Sequence, residues 1–226
     1  MPQTKTALIV GASRGIGLGL VKAFQENGWS VIATVRTENP DGPQTIAGVE
    51  VHSLDVTDRP AVKSFAQQMQ NRKFDLLFIS AGISGPQHQS AISADDQEIL
   101  TLFQTNAIAP LSIAQQLDGT LNEGGVIAFM SSIMGSIAGN DSGGTDLYRA
   151  SKAALNSMIR SYAARLTDRN VSVLALHPGW VKTAMGGDQA PVTVAESAEG
   201  LVAQIEQQLG KNGQRFIDFQ GATIPW

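Results

Sequence analysis

Short, continuous apolar runs alternate along the chain with longer stretches whose apolar residues recur every three or four positions. The runs at 5–10, 30–35, 49–53, 74–80, 126–131, 171–177 and 215–219 are rich in Val, Ile, Leu and Phe. Several do not alternate with polar residues, the mark of strands buried on both faces. The helical periodicity falls at 15–27, 60–70, 95–117, 148–168 and 194–209. The alternation of strand and helix patterns predicts an α/β protein of the Rossmann type. Its doubly wound parallel sheet of about seven strands is flanked by helices on both faces of a single domain, 1–226. Two segments break the pattern, "GSIAGNDSGGTD" at 135–146 and "KTAMGGDQAPVT" at 182–193. Both are rich in small and turn-forming residues. Both follow strands, where the loops of an open α/β sheet surround a ligand crevice.

The first strand leads into "GASRGIG", with Gly11, Gly15 and Gly17 where strand turns to helix. Missing side chains let backbone approach a pyrophosphate, whose charge a helix N-terminus favours. The spacing is neither G-x-G-x-x-G nor the lysine-containing phosphate loop. Its place after the first of several alternating strands is what points to a nucleotide. About 20 residues on, an acidic side chain selects a free ribose and an arginine a 2′-phosphate. Arg36 ends the second strand, and Arg14 lies inside the glycine loop. Two guanidiniums suit a phosphate, so NADP(H) is favoured over NAD(H), with Glu38 the residue that would support NADH.

Tyr148 and Lys152 stand four residues apart, on one helix face. A phenol ordinarily titrates near 10. A neighbouring cation stabilises the phenolate, so Tyr148 is expected to titrate lower and to exchange protons with a substrate. Ser131 and Ser132 end a strand, where a hydroxyl can stabilise a developing alkoxide.

These motifs, in this order, resemble the short-chain dehydrogenase/reductase family: Gly11 to Gly17, "LDVTD" at 54–58, "ISAG" at 79–82, Asn106 in "TNAIAP", "MSS" at 130–132, Tyr148-x-x-x-Lys152 and "HPGWVKT" at 177–183. Within the family the chain looks most like the small carbonyl reductase and C-factor-like branch. The resemblance implies Ser132 rather than Ser131 as the orienting hydroxyl, Tyr148 as proton donor and Lys152 as tuning group and ribose ligand. It also implies Asn106 as holder of a water in a proton relay. For the cofactor it implies contacts from Ser13, Ile16, Asp55, Val56, Ala81, Gly82, Pro178, Gly179, Val181 and Thr183. Ser80 stands where the family has the second asparagine of Asn-Asn-Ala-Gly and lacks an amide's paired donor and acceptor, which predicts a less firmly tied central sheet.

Ile133, Met134, Trp180 and Met185 flank these motifs, as an apolar substrate pocket or as packing residues. A small aldehyde, ketone or quinone is the expected substrate, reduced to its alcohol. The alternative is a cofactor-binding regulatory or signalling protein with incidental catalysis. Composition narrows the field further. There is no cysteine, and the three histidines, His52, His88 and His177, lie far apart, so neither disulfide nor metal is assigned. The formal charge of −4 gives no basic footprint for nucleic acid. No apolar run approaches the roughly 18 residues of a membrane span, so a cytoplasmic protein is expected, and the family resemblance implies a homodimer. The arginine rule predicts tighter binding of NADPH than of NADH. Paired dissociation constants check it, and tighter NADH binding overturns it.

Overall fold

The computed structural model describes residues 4–37 and 39–226. Seven strands, β1 Thr6–Val10, β2 Ser30–Val35, β3 Glu50–Ser53, β4 Phe74–Ile79, β5 Leu121–Met130, β6 Ser172–His177 and β7 Gly213–Asp218, pair in the order 3-2-1-4-5-6-7. Every pair is parallel. Apolar side chains on both faces of the strands account for the helical layers. Helices α1 (Gly15–Glu26) and α6 (Val194–Gln208) cover one face through Leu20, Phe24, Leu201 and Ile205. The other is covered by α2 (Arg59–Met69), α4 (Ala109–Leu117) and α5 (Asp146–Ala163), through Phe65, Ile113, Leu155 and Ile159. Asp58 caps α2 by accepting the Ala61 N–H at 3.0 Å, and reciprocal capping boxes open α6 and the remaining helix, α3 (Asp96–Phe103). None of the described helices is long and apolar enough to cross a membrane.

The structure departs from the sequence pattern in three places. The 95–117 helix is in fact α3, a π-helical turn at Gln104–Ile108, and α4. Pro110 has no N–H, so the carbonyl of Asn106 lacks its usual i+4 donor and the ladder is interrupted there. Strand β5 begins five residues early because its pairing with β4 shifts between Phe74 and Leu76; beside that shift Gly124 takes φ of 77°. The 148–168 helix starts two residues earlier and ends at Ala163. The looser sheet expected from Ser80 is not found. The Ser80 N–H reaches the Val10 carbonyl at 2.8 Å, continuing the β1–β4 ladder through the backbone alone.

Strand order reverses between β1 and β4, and the chain leaves these neighbours toward opposite helical layers. Such a switch point opens a crevice at the carboxyl edge of the sheet. Phe129 is fully buried in β5 and meets the Tyr162 ring edge-on at 6.4 Å between centroids. Phe129→Ala should cost about 3–5 kcal/mol. Ile92→Ser, at a side chain 98% exposed, should stay within about 0.5 kcal/mol. Urea melts of the two variants check the contrast, and similar costs would contradict the assigned core.

Candidate active site

A cleft of about 910 Å³ runs along the carboxyl edge of the sheet. At one end it is walled by Gly11, Ser13, Arg14, Gly15, Ile16 and Gly17, with Arg36, Asp55 and Val56 beside them. Ala81 and Gly82 line its middle. Ser132, Tyr148 and Lys152 line the other end, and Pro178, Gly179, Val181 and Thr183 complete the wall, with Thr183 reaching the glycine loop. Among the sequence-predicted site residues only Asn106 lies behind the wall, fully buried.

In the cradle that the glycine loop forms, Gly11 and Gly17 leave no room for a side chain. A Cβ on Gly11 would sit 2.7 Å from the Ala81 nitrogen, and one on Gly17 would sit 2.2 Å from the Gly11 carbonyl. Gly11 also takes φ of 89°. The loop is tied to β2 by the Ala12 N–H on the Thr34 carbonyl at 2.8 Å and by the Gly11 N–H on Thr34 Oγ1 at 3.2 Å. Helix α1 opens directly from this loop with no side-chain cap and no acidic residue in its first turn. Its first N–H groups and positive dipole end therefore face the cleft, an arrangement that suits a pyrophosphate. Arg14 and Arg36 are exposed at the mouth. Glu38 lies outside the described residues.

Asp55 folds back on its own turn. The Thr57 hydroxyl, at 2.7 Å, and the Thr57 N–H, at 2.9 Å, hold its carboxyl below the usual carboxylate range, and the Arg36 charge adds to the effect. Asn39, which the sequence pattern does not single out, donates to the Ser13 carbonyl at 3.2 Å and joins the β2 loop to the cradle. Thr183 sits against the same cradle, 3.5 Å from where a Cβ on Gly15 would be, and accepts the Gly186 N–H at 3.1 Å.

At the far end, geometry separates the two serines. Ser131 donates to Asn156 Oδ1 at 2.6 Å, and Asn156 donates on to the Gly135 carbonyl, so Ser131 fastens α5 to the loop after β5. Ser132 accepts the Met134 N–H at 3.1 Å, and its hydroxyl exerts a downward pull on the neighbouring Tyr148 phenol. Lys152 is only 3% exposed, and its Nζ donates to the Met130 carbonyl at 2.9 Å. It lies 5.8 Å from the centre of the Tyr148 ring. Burial pushes the Lys152 ammonium down to about 8.

The phenol behaves otherwise than the Tyr-Lys spacing predicts. Burial pushes Tyr148 above its ordinary value, against a smaller pull from the Ser132 hydroxyl. The lysine is partnered by a carbonyl rather than by the phenol, so proximity along the helix alone does not produce a phenolate. Asn106 is held in place through its side chain. Its Oδ1 accepts the Ile83 N–H at 2.8 Å, and its Nδ2 donates to the Ile83 carbonyl at 2.8 Å and to Ser151 Oγ at 3.0 Å. Both hydrogens of the amide are thereby used within the protein.

Ile133, Trp180 and Met185 are 49%, 57% and 54% exposed and line the cleft with Met134. That exposure selects the pocket reading over the packing one. Gln89 and His177 are among the lining residues to which the pattern assigns no role. Gln89 comes from the loop after β4, and His177 is pushed down to about 4 by burial and is therefore neutral.

The model of the short chain dehydrogenase family matches residues 5–193. The C-signal protein of Myxococcus xanthus is 34% identical over 167 residues, which cover 73% of this chain and all of that one. A carbonyl reductase from Pseudomonas aeruginosa in complex with NADP superposes with a TM-score of 0.91 at 44% identity, over 99% of this chain and 100% of the other. A short-chain dehydrogenase/reductase from Burkholderia multivorans with bound NADP reaches 0.94 at 35% identity, with the same coverage. The match begins in β1, ends at the cap of α6, and so takes in both ends of the cleft. On this ground the chain belongs to the short-chain dehydrogenase family.

Proposed function

We propose that this protein is an NADP(H)-dependent reductase of small apolar or aromatic aldehydes, ketones and quinones. The observation that carries the reading is one cleft with the Ser132–Tyr148 pair over a buried ammonium at one end and a glycine cradle flanked by two arginines at the other. The NADP bound to the Pseudomonas aeruginosa and Burkholderia multivorans relatives supports the choice of cofactor. Gly11, Gly15, Gly17 and the N-terminus of α1 would hold the pyrophosphate, and Arg14 and Arg36 the 2′-phosphate. Bound there, the cofactor supplies the hydride.

The remaining work belongs to the chain's own side chains. Ile133, Met134, Trp180 and Met185 exclude water from an apolar carbonyl substrate and orient it. Ser132 and Tyr148 donate hydrogen bonds to the carbonyl oxygen as negative charge builds on it. Because burial raises the phenol, Tyr148 holds its proton at neutral pH and can deliver it to that oxygen, a role worth about 10² to 10⁴ in rate. The Lys152 ammonium opposes the charge left on the phenolate. The approach of Asn106 Oδ1 and Lys152 Nζ, each 3.4 Å from where a Cβ on Gly82 would be, supports a role for Asn106 in a water-borne return of the proton from solvent.

The signalling name of the Myxococcus xanthus relative supports the second reading, a cofactor-binding regulator. Tyr148→Phe separates the two. It should reduce NADPH consumption over a panel of aldehydes, ketones and quinones by at least about 10²-fold, with NADPH affinity within a few-fold. Retained turnover would refute the assignment, and tight NADPH binding without turnover in either protein would favour the regulator.

The buried ammonium also leaves a thermodynamic trace. Its folded pKa lies below the unfolded value, so between about pH 8 and 10.5 the unfolded chain binds more protons and stability rises with pH. Lys152→Met removes that linkage. Parent stability should gain about 2 kcal/mol on the variant between pH 7 and 10. Urea melts at the two pH values check it, and a constant difference would mean an ordinary lysine.

A further inference from the structure

Helix α5, which carries Tyr148 and Lys152, begins without a cap of its own. Thr145 precedes it in the left-handed region at φ of 50°, and its side chain accepts no hydrogen bond from the first turn. The N–H groups there need acceptors from elsewhere. One comes from Gln89, 59 residues earlier, whose Oε1 accepts the N–H of Tyr148 itself at 2.9 Å. The other end of the same amide donates to the Ser84 carbonyl at 2.8 Å and to the Pro86 carbonyl at 2.6 Å. Both ends of the amide are thereby engaged within the protein rather than offered to a ligand.

Backbone conformation marks the same contact. Among the described residues, two that are not glycine take positive φ, Gln89 at 53° and Thr145 at 50°. They stand on either side of this hydrogen bond, and such strain persists where surrounding structure over-determines it. The loop bearing Gln89 is anchored at its start by Asn106, which holds both the N–H and the carbonyl of Ile83. Ser151, bonded to Asn106, donates to the Tyr148 carbonyl at 2.8 Å. Both backbone polar groups of Tyr148 are therefore held by this one assembly.

We infer that Gln89 is a positioning residue: its amide caps the catalytic helix at Tyr148 and fixes the phenol against Ser132. The inference rests on the reading of Tyr148 as proton donor. A misplaced phenol slows proton delivery without weakening the cofactor's hold, because the cradle lies at the other end of the cleft.

The test compares Gln89→Met, which keeps the length and loses every hydrogen bond, with Gln89→Glu, which keeps the acceptor and adds a negative charge. Gln89→Met should lower kcat by about tenfold, with NADPH affinity within about twofold of the parent. Gln89→Glu should recover only part of that loss, because it keeps an acceptor for the Tyr148 N–H but gives up both donor bonds to the Ser84 and Pro86 carbonyls. Its basic pH limb should move upward, because the carboxylate disfavours the phenolate. Gln87→Ala, an exposed change in the same loop, should leave kcat unchanged. Parental kcat in Gln89→Met overturns the inference, as does equal impairment of both variants with an unmoved pH limb. If Gln89→Met does not fold, an unmoved limb in Gln89→Glu overturns it alone. Tyr148→Phe run alongside keeps the failures apart. Turnover there removes the proton-donor reading and this inference together, whereas an inactive Tyr148→Phe beside an unaffected Gln89→Met removes the inference only.

Discussion

The ammonium of Lys152, almost wholly out of water, persists in this fold because the carbonyl of Met130 accepts a hydrogen bond from it. An unpaired charge at that depth would cost several kcal/mol. A single hydrogen bond therefore fixes where α5 must lie relative to the end of β5. Four residues back along the same helix, Tyr148 is brought to Ser132, two residues beyond Met130. The buried charge thus does two things at once. It locks the helix to the sheet edge, and it keeps a cation beneath the phenol.

Around this charge lies a polar interior that is unusually well satisfied. Ser131 and Asn156 tie α5 to the loop after β5, and Asn106 and Ser151 tie it to the loop after β4. Each buried polar side chain in this set has a partner, so none carries the penalty of an orphaned donor or acceptor. Fully connected networks of this kind hold a unique arrangement. The interrupted helix at Asn106 belongs to the same design, since the π turn carries its amide toward Ile83.

The two ends of the cleft obey different physics. At the cradle, function depends on atoms that are absent. Gly11 and Gly17 sit where any Cβ would strike backbone, and α1 starts without a cap that would compete with an anion. At the Tyr148 end, function depends on groups held in place against their preference for water. Burial raises the phenol and lowers the ammonium, so the protein by itself keeps a protonated donor above a cation that gives up its proton more readily.

The strand and helix pattern, the glycine loop and the Tyr148–Lys152 spacing were legible in the sequence, because apolar periodicity, missing side chains and i, i+4 geometry are local properties. Pro110 was equally visible, and with it the break in the 95–117 helix was open to inference. The choice between Ser131 and Ser132 was carried by the family resemblance and not by local pattern, because it turns on which hydroxyl faces Asn156 and which faces Tyr148. The sign of the Tyr148 shift was hidden for the same reason: desolvation depends on what packs around the ring. Gln89 carried no local signal at all, since its partner lies 59 residues away. What the sequence by itself determined was the order of elements and the residue types available to the site. Only the tertiary structure decided which of them are buried and which atoms they face, because burial and long-range hydrogen bonds arise when distant segments pack.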